Sequence, residues 1–361
     1  MEFGLVFQPS VLTTPGDVAF AEERGFTHAW LYDSQMIYSD VYVTMALCAA
    51  RTTRIKLGTG VTNPLSRIAP VTANAFSSLN MIAPGRLVMA IGTGNTARRT
   101  LGMPAARLID LTDHVRVVHD LCAGNTTDYT EGHRHRKIRF LNQDDDFYNL
   151  KDPIPILLGA SGPKLLAAAG EFADGVMLFG PVSPALTRFV MRHVRAGAER
   201  AGRDPDELYV TCMTAFHLTE TGQDLESPEV RRAVGPFVAS SVNIFALSNP
   251  DISALPEEYR DEMAAFKNIY KVTDDPIETR HLSMYEDYLH GFREEHVKLV
   301  TENLIRATTL TGTAEEIVTA IGEMREAGVN QVAIQPILDV RTTADQFARE
   351  VMERFNAVEH S

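Results

Sequence analysis

Four short strand-like runs in this chain each end in a polar or glycine-rich tip. They are Leu31-Tyr32-Asp33-Ser34, Gly58-Thr59-Gly60-Val61-Thr62-Asn63-Pro64, Ile91-Gly92-Thr93-Gly94-Asn95 and Gly159-Ala160-Ser161-Gly162-Pro163. In a parallel β/α barrel the apolar strand fills the core, and the residue just past its C-terminal end faces the ligand mouth. Polar tips on successive strands therefore predict one shared site at one end of a barrel.

The rest of the chain keeps the same step. Phe3 to Phe7 is apolar, stops before Pro9 and reads as a first strand with Gln8 at its tip. Thr14-Pro15-Gly16-Asp17 opens a helix that Gly25 ends, and His28 to Tyr32 is the second strand. Further strands are expected at Ile55 to Gly58, Leu87 to Ile91, Ile154 to Leu158, Gly175 to Phe179, Leu208 to Met213 and Gln331 to Pro336. Helices fall between them at Val41 to Arg51, Pro70 to Ile82, Lys164 to Phe172, Pro184 to Ala201, Glu295 to Ala307 and Ala314 to Glu326. The expectation is an α/β fold, a single (β/α)8 TIM-barrel domain over residues 1–361. Two insertions interrupt it. Residues 108–150 hold a helix from Leu108 to Cys122 and a hairpin from Tyr129 to Phe140 that turns at Glu131-Gly132. Residues 222–295 lack the period and read as a lid, a subunit contact or a surface helical insertion.

The net charge of −13 disfavours a nucleic-acid surface and points to small-molecule substrates. Gly132 to Lys137 is a local basic exception, read as a charge-balanced hairpin or a substrate-phosphate contact. Cys48, Cys122 and Cys212 are too far apart in sequence for a disulfide framework or a Cys-x-x-Cys metal site, which suits a reducing cytoplasm. The chain enters a strand at once, without a secretory pattern, and no apolar run is long enough to span a bilayer. No metal site and no membrane partner are expected.

Gly159-Ala160-Ser161-Gly162-Pro163-Lys164 lies between a strand and a helix, where small residues and unpaired helix amides suit an anion such as a phosphate. A tight structural connection is the plainer reading. Gly92-Thr93-Gly94-Asn95 does not complete a dinucleotide fingerprint, so its glycines either shape the turn or admit a flat ring against bare backbone. Asp33 is the only early acidic tip; it caps a turn, or it moves a proton if burial raises its pKa. No nucleophile elbow or His-Glu-x-x-His run appears.

These residues resemble the luciferase-like family of flavin- and deazaflavin-dependent oxidoreductases. The likeness covers nearly the whole chain through Ala29 to Asp33, Leu57 to Pro64, Pro84 to Gly94, Gly159 to Lys164, Ala173-Asp174-Gly175 and Leu310 to Thr313. The subgroup it is most similar to is the methylene-tetrahydromethanopterin reductases and their bacterial relatives, which bind a deazaflavin coenzyme. The resemblance implies an insertion-bearing barrel, usually dimeric. It further implies a non-prolyl cis peptide at Gly60-Val61, a phosphate loop at Gly159, Ala160, Ser161 and Gly162, and ring-side positions at Asp33, Thr62, Gly94 and Asn95. Relatives that oxidise alcohols or sugars carry histidine after the strand-two aspartate, and the sugar enzyme has glutamate after the strand-four glycine. Here the residues are Ser34 and Asn95.

On these grounds the first expectation is a reduced-FMN-dependent monooxygenase of a small organic substrate, with Gln8, Asp33, Thr62 and Asn95 as catalytic candidates and a separate flavin reductase as a possible partner. The alternative is a reductase using coenzyme F420 to deliver hydride to an unsaturated substrate. A non-catalytic flavin-binding protein is the second alternative. A homodimer or higher homo-oligomer is expected.

Overall fold

The structure, a computed structural model, describes residues 1–249, 251–266, 276–279, 281–282 and 294–359. The described residues form eleven strands: β1 (Glu2–Phe7), β2 (His28–Leu31), β3 (Lys56–Thr62), β4 (Leu87–Ile91), β5 (Thr127–Glu131), β6 (Arg134–Ile138), β7 (Ile156–Gly159), β8 (Gly175–Phe179), β9 (Tyr209–Leu218), β10 (Thr309–Gly312) and β11 (Gln331–Gln335). Eight of them run β11-β1-β2-β3-β4-β7-β8-β9 in parallel, and β9 pairs with both β8 and β11. The sheet is therefore closed into the expected (β/α)8 barrel.

Local chemistry sets the elements. β4 is Leu-Val-Met-Ala-Ile with every residue buried, as a strand covered on both faces requires. Proline opens the helices Thr14–Glu23, Pro163–Phe172, Pro184–Arg200 and Pro228–Ser248, where its missing N–H costs nothing. Asp40 caps Val41–Ala49 through the amides of Tyr42 and Val43, and Thr313 with Glu316 forms a capping box on Ala314–Glu326.

The barrel interior is packed rather than hollow. Trp30 is fully buried, and its indole N–H donates to Gln331 Oε1 at 2.7 Å. Thr211 Oγ1 donates to the same oxygen at 3.3 Å, Gln331 Nε2 donates to the Tyr209 hydroxyl at 3.1 Å, and that hydroxyl donates to Glu2. A side chain at Gly58 would come within 2.4 Å of the Trp30 ring, so the indole occupies space that the glycine leaves.

The structure corrects several boundaries. β3 continues to Thr62 and β9 to Leu218, beyond the expected ends at Gly58 and Met213, and the added length of β9 pairs with β10. The fifth barrel strand is Ile156–Gly159 rather than Ile154 to Leu158, since Pro155 has no amide to give a ladder. The helix expected from Glu295 to Ala307 is two, Glu294–Val297 and Glu302–Thr308, the second capped by Thr301. The hairpin is present as β5 and β6, but Cys122 and Ala123, just before it, line a cavity of about 580 Å³ with His28 and Lys56 at the strand starts. His135 and Lys137 of the basic run lie against Asp128 at 3.3 and 3.2 Å, which favours its reading as a charge-balanced hairpin. The 222–295 segment is not a surface insertion at its start: helix Pro228–Ser248 buries Phe237, Val238, Val242 and Phe245. Most of the aromatic run His281 to Phe292 lies outside the described residues. Among the described residues no helix is long and apolar enough to cross a membrane, and the three cysteines are free and buried.

Candidate active site

The tips of β2 and β3 meet at a carboxylate. Thr62 Oγ1 donates to Asp33 Oδ2 at 2.6 Å, and the Tyr42 hydroxyl lies 3.3 Å from the same Thr62 oxygen. The Arg67 guanidinium sits over the Tyr42 ring at 4.4 Å and donates to Asp40 at 2.7 Å. Burial lifts the Asp33 pKa above the ordinary carboxylate value; the Thr62 hydrogen bond and the Arg67 charge oppose this, while Asp40 adds to it. The same burial raises the Tyr42 phenol, which stays neutral. The result is a carboxyl biased toward holding its proton, with a hydroxyl and a phenol behind it.

The Gly60–Val61 peptide is cis. Val61 fills the gap between neighbouring tips: a Cβ at Gly159 would come within 2.8 Å of Val61 Cγ1, and one at Gly92 within 3.0 Å of its Cγ2. These two glycines, read from sequence as bare backbone for a ligand, first make room for Val61. Gly94 has φ +82° and a Cβ there would meet Asn63 at 2.8 Å, so the turn into the short helix Asn95–Arg99 demands glycine twice over. The Asn95 side chain makes no hydrogen bond within the described residues. Gln35 Nε2 donates to Ala97 O and ties this turn to the loop after β2.

The β7 tip runs into helix Pro163–Phe172, whose N-cap residue, Gly162, supplies no side-chain cap. Its first-turn amides are left open, as is the Ser161 hydroxyl among the described residues. Ala160 is buried and its amide donates to Met177 O at 3.1 Å, while Asn249 donates to Ser161 O at 3.2 Å. Gly162 is explained by packing: its Cβ would lie 2.6 Å from Ser248 O.

Gln8, at the β1 tip, has a buried Nε2 with no partner, and so has Gln335 at the end of β11. Tyr32 donates its hydroxyl to Gln335 Oε1 and lies 3.4 Å from Met213 Sδ. Tyr32, Tyr42, Arg67 and Gln335 were not singled out from the sequence. For Gln335 the signal was there, a polar residue closing an apolar strand, the same logic that marked Gln8. A surface cavity of about 790 Å³ is lined by Arg188, Arg192, Arg195 and Glu323 on the outer helices and touches none of these tips.

Known proteins resemble this chain over most of its length. The family described as luciferase-like monooxygenase matches residues 17–331. The chain is 29% identical over 336 residues to 5,10-methylenetetrahydromethanopterin reductase of Methanolobus tindarius, covering 92% of this chain and 93% of the relative. It is 31% identical over 304 residues to F420-dependent glucose-6-phosphate dehydrogenase of Nakamurella multipartita, covering 80% and 86%. The structure of the coenzyme F420 dependent tetrahydromethanopterin reductase from Methanopyrus kandleri shares the fold with a TM-score of 0.74 at 24% identity, over 98% of this chain and 99% of that one. The chain belongs to the luciferase-like monooxygenase family, the flavin- and deazaflavin-dependent oxidoreductases that its strand tips resemble.

Proposed function

We propose that this protein is a coenzyme F420-dependent oxidoreductase acting as a reductase on an unsaturated small molecule. The observation that carries this reading is its likeness, over nearly its full length, to relatives named for that coenzyme or for the reductase reaction. The order of the two sequence readings is thereby reversed, and reduced-FMN monooxygenation keeps only the support of the shared family. Reduction is preferred to alcohol or sugar oxidation because Ser34 and Asn95 cannot take a proton as histidine and glutamate do.

The residues present fit a flavin-type group. The uncapped helix start with the Ser161 hydroxyl offers donors to a phosphate, and Gly60 leaves room for Trp30 and Met213 to pack closely behind the strand tips. When bound, the deazaflavin supplies the hydride chemistry. Burial biases Asp33 toward its protonated form, Thr62 orients that carboxyl by donating to Oδ2, and the free Asn95 amide orients a polar group of the substrate. Val61, Met213 and Trp30 form the apolar backing that keeps water out.

The test is a fluorescence titration of the protein with F420 and with FMN. F420 is expected to bind at least about tenfold more tightly than FMN, a difference of about 1.4 kcal/mol. Tight binding of FMN alone would restore the monooxygenase reading and its need for a flavin reductase, and binding of neither would overturn both. Ser161→Asp, which sets a negative charge against an anion at the helix start, should weaken the coenzyme about tenfold. Gly162 is unsuitable for this purpose, because any side chain there strikes Ser248.

The expected homodimer has a surface to match. Val43 and Leu47 on helix Val41–Ala49 are 54% and 42% exposed, and Ile68 and Val71 at the start of helix Ala69–Ile82 are 48% and 44% exposed. Adjacent helices presenting a joint apolar face suit a two-fold self-contact. Val43→Glu combined with Leu47→Glu should convert a dimer into a folded monomer by light scattering. A wild-type protein already monomeric at micromolar concentration refutes the contact.

A further inference from the structure

We propose that Gln335 and Gln8 form a neutral donor pair in the barrel wall that receives an uncharged carbonyl-type oxygen of the substrate. This deepens the reductase reading and rests on it. The placement follows from strand register. Gln331 faces the barrel interior, since it bonds Trp30 and Thr211, so the two-residue period puts Ala333 and Gln335 on the same face one and two steps nearer the mouth. The vacant Cβ direction of Gly4 points at Gln331 and Trp30, so Val6 and Gln8 share that interior face. β1 pairs with β11 through Leu5 and Ile334, and with β2 through Phe7 and Leu31. Continuing each register one residue sets Gln335 beside Val6 and Tyr32 beside Gln8. The three polar residues thus stand on three adjacent strands about 4.8 Å apart, with Gln335 two residues below the level of Gln8 and Tyr32.

Gln335 is 1% exposed, yet its amide nitrogen has no partner. The Tyr32 hydroxyl donates to the Oε1 of the same amide and so turns Nε2 away from itself. Gln8 Nε2 is likewise buried and unpartnered. A buried amide left without an acceptor is costly, and two on neighbouring strands are accounted for by an acceptor that arrives with a ligand. The wall also says which acceptor. Alongside, β9 presents Met213 and Ala215, and His217 further up has a buried Nε2 without a partner and a pKa lowered by burial, which keeps it neutral. Neutral amides with an uncharged imidazole do not repay the desolvation of a carboxylate or phosphate, whereas they suit a ketone, enone, lactam or amide oxygen. Held there, the oxygen of a conjugated carbonyl would be polarised by two donors.

The probe is 2-cyclohexen-1-one, with cyclohexene and acetate as controls, added to the full chain. The side-chain amide ¹⁵N–¹H signals of Gln8 and Gln335, assigned by their loss in Gln8→Met and Gln335→Met, are expected to shift with the enone and not with either control. Signals unmoved by the enone overturn the proposal whether or not the coenzyme binds, so its failure is separate from failure of the F420 titration. In the presence of reduced F420, each Met variant should raise the KM for the enone about tenfold, with coenzyme affinity within about twofold of wild type. A tenfold loss of coenzyme affinity with the enone KM unchanged overturns it in favour of donors that hold the coenzyme ring. Because Gln8 is at a half-buried tip, its variant keeps the test open if Gln335→Met misfolds.

Discussion

Gly197→Ala is expected to destabilise the protein by about 3 kcal/mol or more, although alanine is intrinsically the better helix former. Helices Pro163–Phe172 and Pro184–Arg200 cross at close range, and the contact is made by backbone on both sides. A Cβ at Gly197 would lie 2.0 Å from Ala167 O, and one at Gly170 would lie 2.1 Å from Val194 O. Neither obstacle is the end of a flexible side chain, so relief requires moving one helix away from the other. Those helices flank β7 and β8, and their separation would disturb the Ser161 loop as well. The internal control is Gly322→Ala in helix Ala314–Glu326, where nothing lies within 4 Å of the new methyl. That change should stabilise by about 0.5–1 kcal/mol. Urea unfolding of the two variants beside wild type checks both signs. Equal midpoints for Gly197→Ala and wild type would show that the helices can part freely.

Acid should remove a second large share of stability, well above the usual range in which carboxylates titrate. His28 and His114 are 2% and 6% exposed, and burial lowers each pKa from 6.5 to about 4. A lowered pKa means that the unfolded chain binds the proton first. Stability is therefore intact above about pH 6.5 and is lost as pH falls toward 4. A shift of that size corresponds to about 3 kcal/mol for each histidine once both states are protonated. His28 stacks on Trp30 with ring centroids 5.6 Å apart, so its protonation brings a charge under the barrel floor. His114 has a buried Nε2 with no partner and is the cleaner target. His114→Leu should remove about half of the loss between pH 7.5 and 4.5 in urea unfolding, and a wild-type midpoint that does not move over this interval would contradict the assignment. Asp33 works in the opposite direction, because its raised pKa contributes stability at low pH that is lost as pH rises through the folded value.

Much of this fold was legible because period and punctuation are local properties. Leu87–Ile91, Gly175–Phe179 and Ala314–Glu326 fall where the apolar pattern, the glycines and the caps place them. The candidate site was legible in outline for the same reason, since a polar residue closing an apolar strand of a parallel barrel has to face the mouth. What the pattern could not assign was why a given glycine is there. Gly92 and Gly159 accommodate Val61, Gly162 accommodates Ser248, and Gly94 accommodates Asn63, all partners distant in sequence.

The amino-acid sequence alone determined the barrel, the end that carries the candidate site and the family it resembles, because each rests on alternation and tips repeated strand by strand. Tertiary structure decided the rest. It buried helix Pro228–Ser248, set the basic hairpin strand against Asp128, joined Thr62 to Asp33, and left the buried amides of Gln8 and Gln335, on adjacent strands, without partners. These are facts about which residues meet across the closed sheet, and such meetings are set by register and closure, which no local window of sequence contains.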